Sequence, residues 1–273
     1  MSLPQPILDY FESLEKEHGI KTTSAQKKWY FSKYRELGDN IYQEYPSTPD
    51  EAFRGSSEGF FYLKELNQIR ELGQIGKVPH QPNLATYTAW DLGFGDSTSI
   101  WMFQMLPTGS IHVIDFYENN GEGLHHYEQV LRQKKYNYAK HFLPHDAGAH
   151  DAASGLSYAE QARRLNMEVI VLNRQKPGKS SFMAEIQRVR NTLARCFFDE
   201  AKCSYGLKCL EGYRKKWNEQ MGSYTSEPVH DWASHASDSF RYLVQAVETN
   251  KFGAKQDMSA ELKKLKQVGR RKI

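Results

Sequence analysis

Thr86-Tyr-Thr-Ala-Trp-Asp91-Leu-Gly-Phe-Gly-Asp96-Ser-Thr-Ser-Ile-Trp-Met-Phe-Gln-Met105 is the stretch that decides the fold of this chain. It holds two runs rich in β-branched and aromatic residues, 86–92 and 98–105, joined by a short connector that contains glycines. A third run, 110–117, follows a turn at 107–109. Such runs joined by short turns are typical of antiparallel strands. The sequence therefore predicts a three-stranded antiparallel meander.

Helical and strand-like patterns alternate after the meander. Helical periodicity is found at 122–135, 157–165, 180–194, 203–219 and 232–249, and strand-like runs are found at 140–145 and 167–172. A meander followed by alternating helices and strands predicts an α/β fold. We expect a mixed sheet, with the antiparallel meander followed by parallel strands, flanked by helices.

The residues before the meander have a different character. They show helical patterns at 5–17, 24–38 and 61–72, and a proline-containing connector lies near 45–55. Glycines and prolines at 73–82 mark a boundary. We predict three regions, namely a helical extension and linker over 1–80, an α/β domain over 81–250 and a basic, flexible tail over 251–273.

Composition excludes several classes of protein. Hydrophobic residues make up 39% of the 273, enough for a sizeable core, and the mean hydropathy of -0.71 indicates a well-solvated surface. No apolar run approaches the roughly 18 residues of a membrane span, and the first residues do not resemble a secretory signal. The cysteines, Cys196, Cys203 and Cys209, include no CxxC pair, so neither a disulfide framework nor a structural zinc site is expected. A reducing cytoplasm is the expected location.

Positive charge is concentrated in two segments, although the whole chain carries only +3. Residues 161–190 and 254–273 each hold seven Lys or Arg against two acids, a local charge of +5. Clustered charge of this kind favours a polyanion such as nucleic acid. A solvated surface is the alternative, and it is the preferred interpretation of the tail. In the middle segment, the candidates for contact with DNA phosphates are Arg174, Lys176, Lys179 and Ser180.

Three aspartates stand at positions where carboxylates can converge. Asp91 ends the first predicted strand of the meander, Asp146 follows the predicted strand 140–145, and Asp238 lies within the predicted helix 232–249. Converging carboxylates repel one another unless a cation joins them. Oxygen ligands of this kind favour a hard divalent metal, either Mg²⁺ or Mn²⁺. Two such ions, with Asp91 shared between them, would suit phosphodiester hydrolysis.

Four neighbouring residues are further candidates. Asp96 is either an additional metal ligand or a turn residue, with the turn preferred. Asp231 shares a helix face with His235 and Asp238; it suits a helix N-cap better than a metal ligand. His235 is expected to position Asp238 or a phosphate. Arg241 would either pair with an acid or contact DNA.

These motifs together resemble a known family. Asp91-Leu-Gly-Phe-Gly-Asp96-Ser-Thr-Ser, Asp146-Ala-Gly and His235-Ala-Ser-Asp238-Ser-Phe-Arg241-Tyr242 resemble the nuclease domain of the large terminase subunit of tailed bacteriophages. The segment from Tyr42 to Phe53 is similar to the stretch that joins that family's ATPase domain to its nuclease domain. The resemblance extends from about residue 28 to residue 247.

The resemblance implies a ribonuclease H-like fold and a metal-dependent endonuclease that cuts concatemeric double-stranded viral DNA. Asp91, Asp146 and Asp238 match the family's metal-binding acids. The implied partners are DNA, a small terminase subunit, a portal protein and an ATPase domain, in the cytoplasm of the bacterial host.

One departure limits the resemblance, since the chain contains no Walker A loop. The nearest segment, Pro177-Gly178-Lys179-Ser180, has Asn173 where the first glycine of that motif belongs. We therefore expect a C-terminal part of such a protein, without ATPase activity. Two alternatives stay open at this point: another ribonuclease H-like nuclease, such as a Holliday-junction resolvase, and a non-catalytic DNA-binding module whose acids cap turns.

Overall fold

The structure is a computed structural model, and it describes residues 3–37, 41–49, 59–93, 96–149, 155–174 and 182–249. The chain divides into two compact units, Met1–Lys64 and Glu65–Ile273. The predicted tail, together with Lys176, Lys179 and Ser180, lies outside the described residues.

The first unit is helical, as the sequence predicts. Helix α1 spans Gln5–His18, α2 spans Ser24–Leu37 and α3 spans Ile41–Glu44. Its core is formed by apolar side chains on the facing sides of these helices, namely Ile7, Phe11, Leu14, Tyr30 and Ile41. Helix α1 ends at Gly19, whose φ of 68° suits a residue without a Cβ and lets its N–H return to the carbonyl of Glu15.

The second unit is built on a mixed sheet. Its strands are β1 (Ile75–Gly76), β2 (Thr86–Asp91), β3 (Ser97–Met105), β4 (Ile111–Asn120), β5 (Tyr138–Leu143), β6 (Val169–Val171) and β7 (Cys196–Asp199). Within the described residues the sheet has seven strands in the order β1-β7-β4-β3-β2-β5-β6. The β2–β3 and β3–β4 pairs are antiparallel, and the other pairs are parallel. The predicted meander and mixed sheet are confirmed.

Helices cover both faces of this sheet. Helix α4 (Leu63–Glu71) precedes β1 in the chain. Helices α5 (Leu124–Lys134) and α6 (Tyr158–Arg164) pack on one face, over a core that includes Trp90 and Ile100. The other face carries α7 (Phe182–Leu193), α8 (Ser204–Gly212) and α9 (Ser234–Thr249). Neighbouring residues of a strand point to opposite faces, so Asp91 and Trp90 belong to different sides of β2. This alternation decides which side chains can meet α9.

The sequence prediction was wrong at the predicted helix 203–219. Helix α8 ends at Gly212, and a hairpin follows, formed by β8 (Lys215–Asn218) and β9 (Ser223–Pro228). Gly212 packs against the ring of Trp232, and a Cβ there would lie 2.6 Å from that ring. A glycine at this position also disfavours continuation of the helix.

Two short strands were not predicted. Strand β7 has four residues, too few to show a periodicity in the sequence. Strand β1 joins the sheet beside β7, although its residues fall within the range 1–80 assigned to the helical extension. The predicted domain bounds themselves stay a prediction. None of the helices in the described ranges combines the length and the apolar character needed to cross a bilayer.

Candidate active site at the carboxyl edge of the sheet

The candidate residues come together because three neighbouring strands run in the same direction. Strands β2, β5 and β6 are parallel, so their carboxyl ends meet at one edge of the sheet. Asp91 ends β2, and Asp146 lies in a short 3₁₀ helix, His145–Gly148, directly after β5. Arg174 follows β6. Open α/β sheets commonly bind their ligands at this edge.

The turn after β2 depends on Gly93. A Cβ at this position would lie 2.6 Å from backbone atoms of Asp96 and Ser97, which no side chain could tolerate. The Gly93 N–H also donates to the Thr98 hydroxyl at 3.2 Å. This glycine lets the chain turn closely after Asp91, so the aspartate remains at the end of a rigid strand.

Helix α9 approaches the sheet closely because small residues line the contact. The Ser99 hydroxyl donates to the carbonyl of His235 at 2.8 Å and lies 2.7 Å from the Ser239 hydroxyl. The Trp101 indole N–H donates to the carbonyl of Ala236 at 2.8 Å. The sheet therefore holds the backbone of α9 directly, and this contact fixes the position of His235 over the end of β2.

Asp91 and His235 form an ion pair between strand and helix. His235 Nδ1 lies 3.1 Å from Asp91 Oδ2, and each side chain is 17% exposed. Burial raises the pKa of Asp91, and the nearby Asp238 raises it further, while His235 and Arg241 oppose the shift. The hydrogen bond to Asp91 raises the pKa of His235. The pair thus favours a protonated imidazole beside a carboxylate whose charge is costly to bury.

Asp238 is held by a cation on its own helix. Arg241 donates to Asp238 Oδ1 at 2.7 Å and to Glu185 Oε2 on α7 at 2.7 Å. The guanidinium also lies 5.1 Å from the centre of the Phe182 ring. Of the two roles predicted for Arg241, the structure contains the pairing with an acid.

Tyr242, the residue after Arg241 on α9, is influenced by all three aspartates. Its pKa is raised chiefly by burial and then by the charges of Asp91, Asp238 and Asp146, with Arg241 opposing. The three acids, which come from β2, α9 and the 3₁₀ helix, therefore act on one hydroxyl. Within the described residues, no group of three or more His, Cys, Asp or Glu side chains is arranged to hold a metal ion.

The secondary candidates have distinct surroundings. Asp96 is exposed in the bend after β2, and its charge contributes to the raised pKa of His235. Asp231 Oδ1 accepts from the Ala233 N–H at 3.0 Å, and its Oδ2 pairs with Arg214 at 2.9 Å. Asp231 lies three residues before Ser234, where α9 begins, so it belongs to the turn ahead of the helix and is not the predicted N-cap.

Glu118 lies beside this candidate site, although no pattern in the sequence singles it out. Asp91 is paired with Ser99 across β2 and β3, and Ser99 is paired with Glu118 across β3 and β4. The three residues form a row on the face that α9 covers. Glu118 Oε2 is buried and has no hydrogen-bond partner among the described residues. Burial raises the pKa of Glu118, against the influence of His235 and of a hydrogen bond from Ser97. The sequence contains one indication of this residue, an acid near the end of a predicted strand. Only the register of β2, β3 and β4 shows that this acid lies beside Asp91.

Sequence comparison finds no relative, since no protein-family model and no curated protein matches this chain. Solved structures do resemble it. A large terminase from a thermophilic bacteriophage, solved in complex with ATP-gamma-S, has a TM-score of 0.50 and 17% identity, over 68% of this chain and 45% of that chain. The P22 large terminase nuclease domain has a TM-score of 0.47 and 12% identity, over 62% and 86%. The large terminase nuclease from thermophilic phage G20c with bound magnesium has a TM-score of 0.45 and 14% identity, over 70% and 98%.

The comparison with the ATP-gamma-S complex concerns the fold, because the sequence identity is low. This chain spans less than half the length of that terminase chain. The mixed sheet and its flanking helices are those expected from the sequence. The chain therefore has the ribonuclease H-like fold that the terminase resemblance implies.

Proposed function

We propose that this protein is a metal-dependent endonuclease that cleaves double-stranded DNA, as in the packaging of concatemeric phage genomes. One observation carries the proposal. Asp91 at the end of β2 and Asp238 on α9, far apart in sequence, are brought to one contact between strand and helix, where His235 lies 3.1 Å from Asp91 and Arg241 donates to Asp238 at 2.7 Å. Burial raises the pKa of Asp91 at this contact, and ionisable groups perturbed in this way concentrate at functional sites.

The donor set suits a hard divalent cation. Asp91 and Asp238 are each paired with a side-chain cation, His235 and Arg241 respectively, so both carboxylates already occupy positions where positive charge is stabilising. The buried oxygen of Glu118, which lacks a partner among the described residues, is a further acceptor beside them. Carboxylate oxygens are the ligands that Mg²⁺ and Mn²⁺ prefer.

The three aspartates would hold two Mg²⁺ or Mn²⁺ ions, with Asp91 shared because it ends a central strand. Bound ions supply an activated water and stabilise charge on the leaving oxygen. His235 orients Asp91 by donating a hydrogen bond from Nδ1, and Arg241 orients Asp238 by donating a hydrogen bond from its guanidinium group. Asp96 is kept as an additional ligand candidate, whereas Asp231 is assigned to the turn before α9.

The substrate and partners follow from the resemblance. Arg174, with Lys176, Lys179 and Ser180, would contact DNA phosphates. A small terminase subunit, a portal protein and an ATPase domain would act with this chain in the host cytoplasm. Because the chain contains no Walker A loop, we expect it to cut DNA without translocating it.

Nicking of supercoiled plasmid tests the proposal. We expect the wild type to nick with Mn²⁺ or Mg²⁺ and to be inactive in EDTA. Asp91→Asn, Asp146→Asn and Asp238→Asn should each lower the rate by about a thousandfold, because the charge held by these ligands stabilises the transition state. Asp9→Asn, on the exposed face of α1, is the matched control and should retain the wild-type rate.

Wild-type rates in all three site variants would refute the assignment. A linear duplex and a four-way junction should be compared in the same assay. Cleavage confined to the junction would favour a resolvase over the proposed duplex endonuclease.

A further inference from the structure

A cavity of about 220 Å³ opens beside the candidate acids, between α7 and α9. Arg241, which donates to Asp238 at 2.7 Å, also lines this cavity. His145 and Asn173, which follow the carboxyl ends of β5 and β6, form another part of its wall. The cavity therefore adjoins the proposed active site at Arg241 and lies on the same edge of the sheet.

The lining of this cavity is dominated by positive charge. It contains the guanidinium groups of Arg174, Arg188 and Arg241 and a single carboxylate, that of Glu185. Arg241 is paired with Glu185 and Asp238, and Arg188 Nε lies 3.5 Å from Glu248. Arg174 is exposed and forms no ion pair with any described residue. A guanidinium group presents paired N–H donors that match the oxygens of a phosphate.

The arginines are carried on ordered parts of the fold. The Gln245 side chain on α9 donates to the carbonyl of Asn173 at 2.8 Å, which ties the residue before Arg174 to the helix of the site. Arg188 lies within α7, and Arg241 lies within α9. A site that is held in this way loses little conformational entropy when an anion binds.

The charge changes sign along the edge of the sheet. Asp91 ends β2, Asp146 follows the adjacent strand β5, and Arg174 follows the next strand, β6. A polyanion that crosses this edge would meet cation-binding acids first and arginines next. Arg241 joins the two parts because it contacts Asp238 and lines the cavity.

We infer that the cavity binds a backbone phosphate of the DNA strand on which the acids act. This inference rests on the proposed function, because it takes DNA as the substrate. The ligand class is a phosphodiester, held by Arg174, Arg188 and Arg241. Inorganic phosphate has related chemistry, so the test must separate DNA from the free anion.

The test is the salt dependence of duplex binding, measured by fluorescence anisotropy in EDTA so that no cleavage occurs. Each lost phosphate contact lowers the slope of log affinity against log salt by about 1. We expect a decrease of up to about 1 for Arg174→Gln and for Arg188→Gln, and of about 1 for the double variant because the arginines share one phosphate, equally for unrelated sequences. Arg163→Gln removes an exposed arginine from the end of α6, which leads to the amino end of β6, and should leave the slope unchanged.

Each outcome has a separate meaning. Unchanged slopes in the well-folded Arg174→Gln and double variants, compared with Arg163→Gln, would overturn the inference. A loss of inorganic phosphate binding without any change in the DNA slope would also overturn it, since the cavity would then take only the free anion. If the wild type fails to nick plasmid but the slopes fall as expected, phosphate binding by the cavity is supported and the proposed nuclease activity is refuted. Normal nicking with unchanged slopes refutes the cavity alone.

Discussion

Strand β2 contacts a histidine on each of its faces, and the pKa values of the two histidines are shifted in opposite directions. On the face covered by α5 and α6, Thr88 contacts His141; on the face covered by α9, Asp91 contacts His235. Burial lowers the pKa of His141 to about 4, whereas the hydrogen bond to Asp91 raises the pKa of His235.

The partner on the strand accounts for this difference. The Trp90 indole N–H donates to the Thr88 hydroxyl at 2.6 Å, and that hydroxyl lies 2.8 Å from His141 Nδ1. A neutral hydroxyl cannot stabilise an imidazolium in an apolar core, so His141 stays uncharged. The carboxylate of Asp91 can stabilise an imidazolium, so this face of β2 keeps charged groups that are costly in folding free energy to bury. We therefore interpret the first face as structural and the second as functional.

The largest expected effect separates activity from stability at Asp91. We expect Asp91→Asn to lower plasmid nicking by about a thousandfold, because it removes a metal ligand. Its melting temperature without metal should not fall, because the variant no longer buries a charge that the fold disfavours. Parallel nicking assays and thermal melts would check this. A variant that keeps its activity, or that loses it only by unfolding, would contradict the functional interpretation of this face.

The opposite result is expected for Thr88→Val on the other face. This change leaves the Trp90 N–H and His141 Nδ1 without their partner in the core. Each buried unsatisfied group costs about 1–3 kcal/mol, so we expect a loss of about 2–6 kcal/mol. Chemical denaturation would measure it, with the exposed Thr108→Val as control. Nicking below the melting temperature should be unchanged, and a loss of nicking in the folded variant would break the proposed division between the faces.

The pH dependence of the free energy of unfolding reports on the protonation of His141. Its folded pKa, about 4, is below the ordinary value of 6.5. The contribution of uncharged His141 to the free energy of unfolding is therefore complete above about pH 6.5 and is lost as the pH falls towards 4. This contribution amounts to about 3 kcal/mol. In His141→Gln this contribution to the pH slope should be missing. Equal slopes for wild type and variant between these values, measured by urea denaturation, would show that His141 does not titrate as the structure indicates.

The smallest effect concerns Glu118. We expect Glu118→Gln to weaken Mn²⁺ binding several-fold, by about 1 kcal/mol, since it removes one negative charge near the site without removing a proposed ligand. Isothermal titration calorimetry would measure the change. Glu122→Gln, two residues after the end of β4, is the matched control. Wild-type affinity in Glu118→Gln would exclude this residue from the cation site.

The sequence was sufficient where local patterns determine structure. The meander was predictable because strand-like runs are joined by short turns around Gly93 and Gly109. Asp91, Asp146 and Asp238 could be proposed as candidates because strand ends and a helix face are predictable from local periodicity. Glu118 could not be connected to them, since its place beside Asp91 depends on the register of three strands. The pairing of Arg241 with Glu185 and the arginine cavity likewise depend on the packing of α7 against α9.

The central claim is that Asp91, Asp146 and Asp238 form one divalent cation site. Anomalous diffraction from crystals soaked in Mn²⁺ would test it most directly. We predict two manganese peaks within coordination distance of these carboxylates, about 2.1 Å for octahedral oxygen ligands of Mg²⁺-like ions, with Asp91 contacting both. The account would be contradicted if manganese were absent or bound elsewhere, and Asp91 and Asp238 were still paired only with His235 and Arg241.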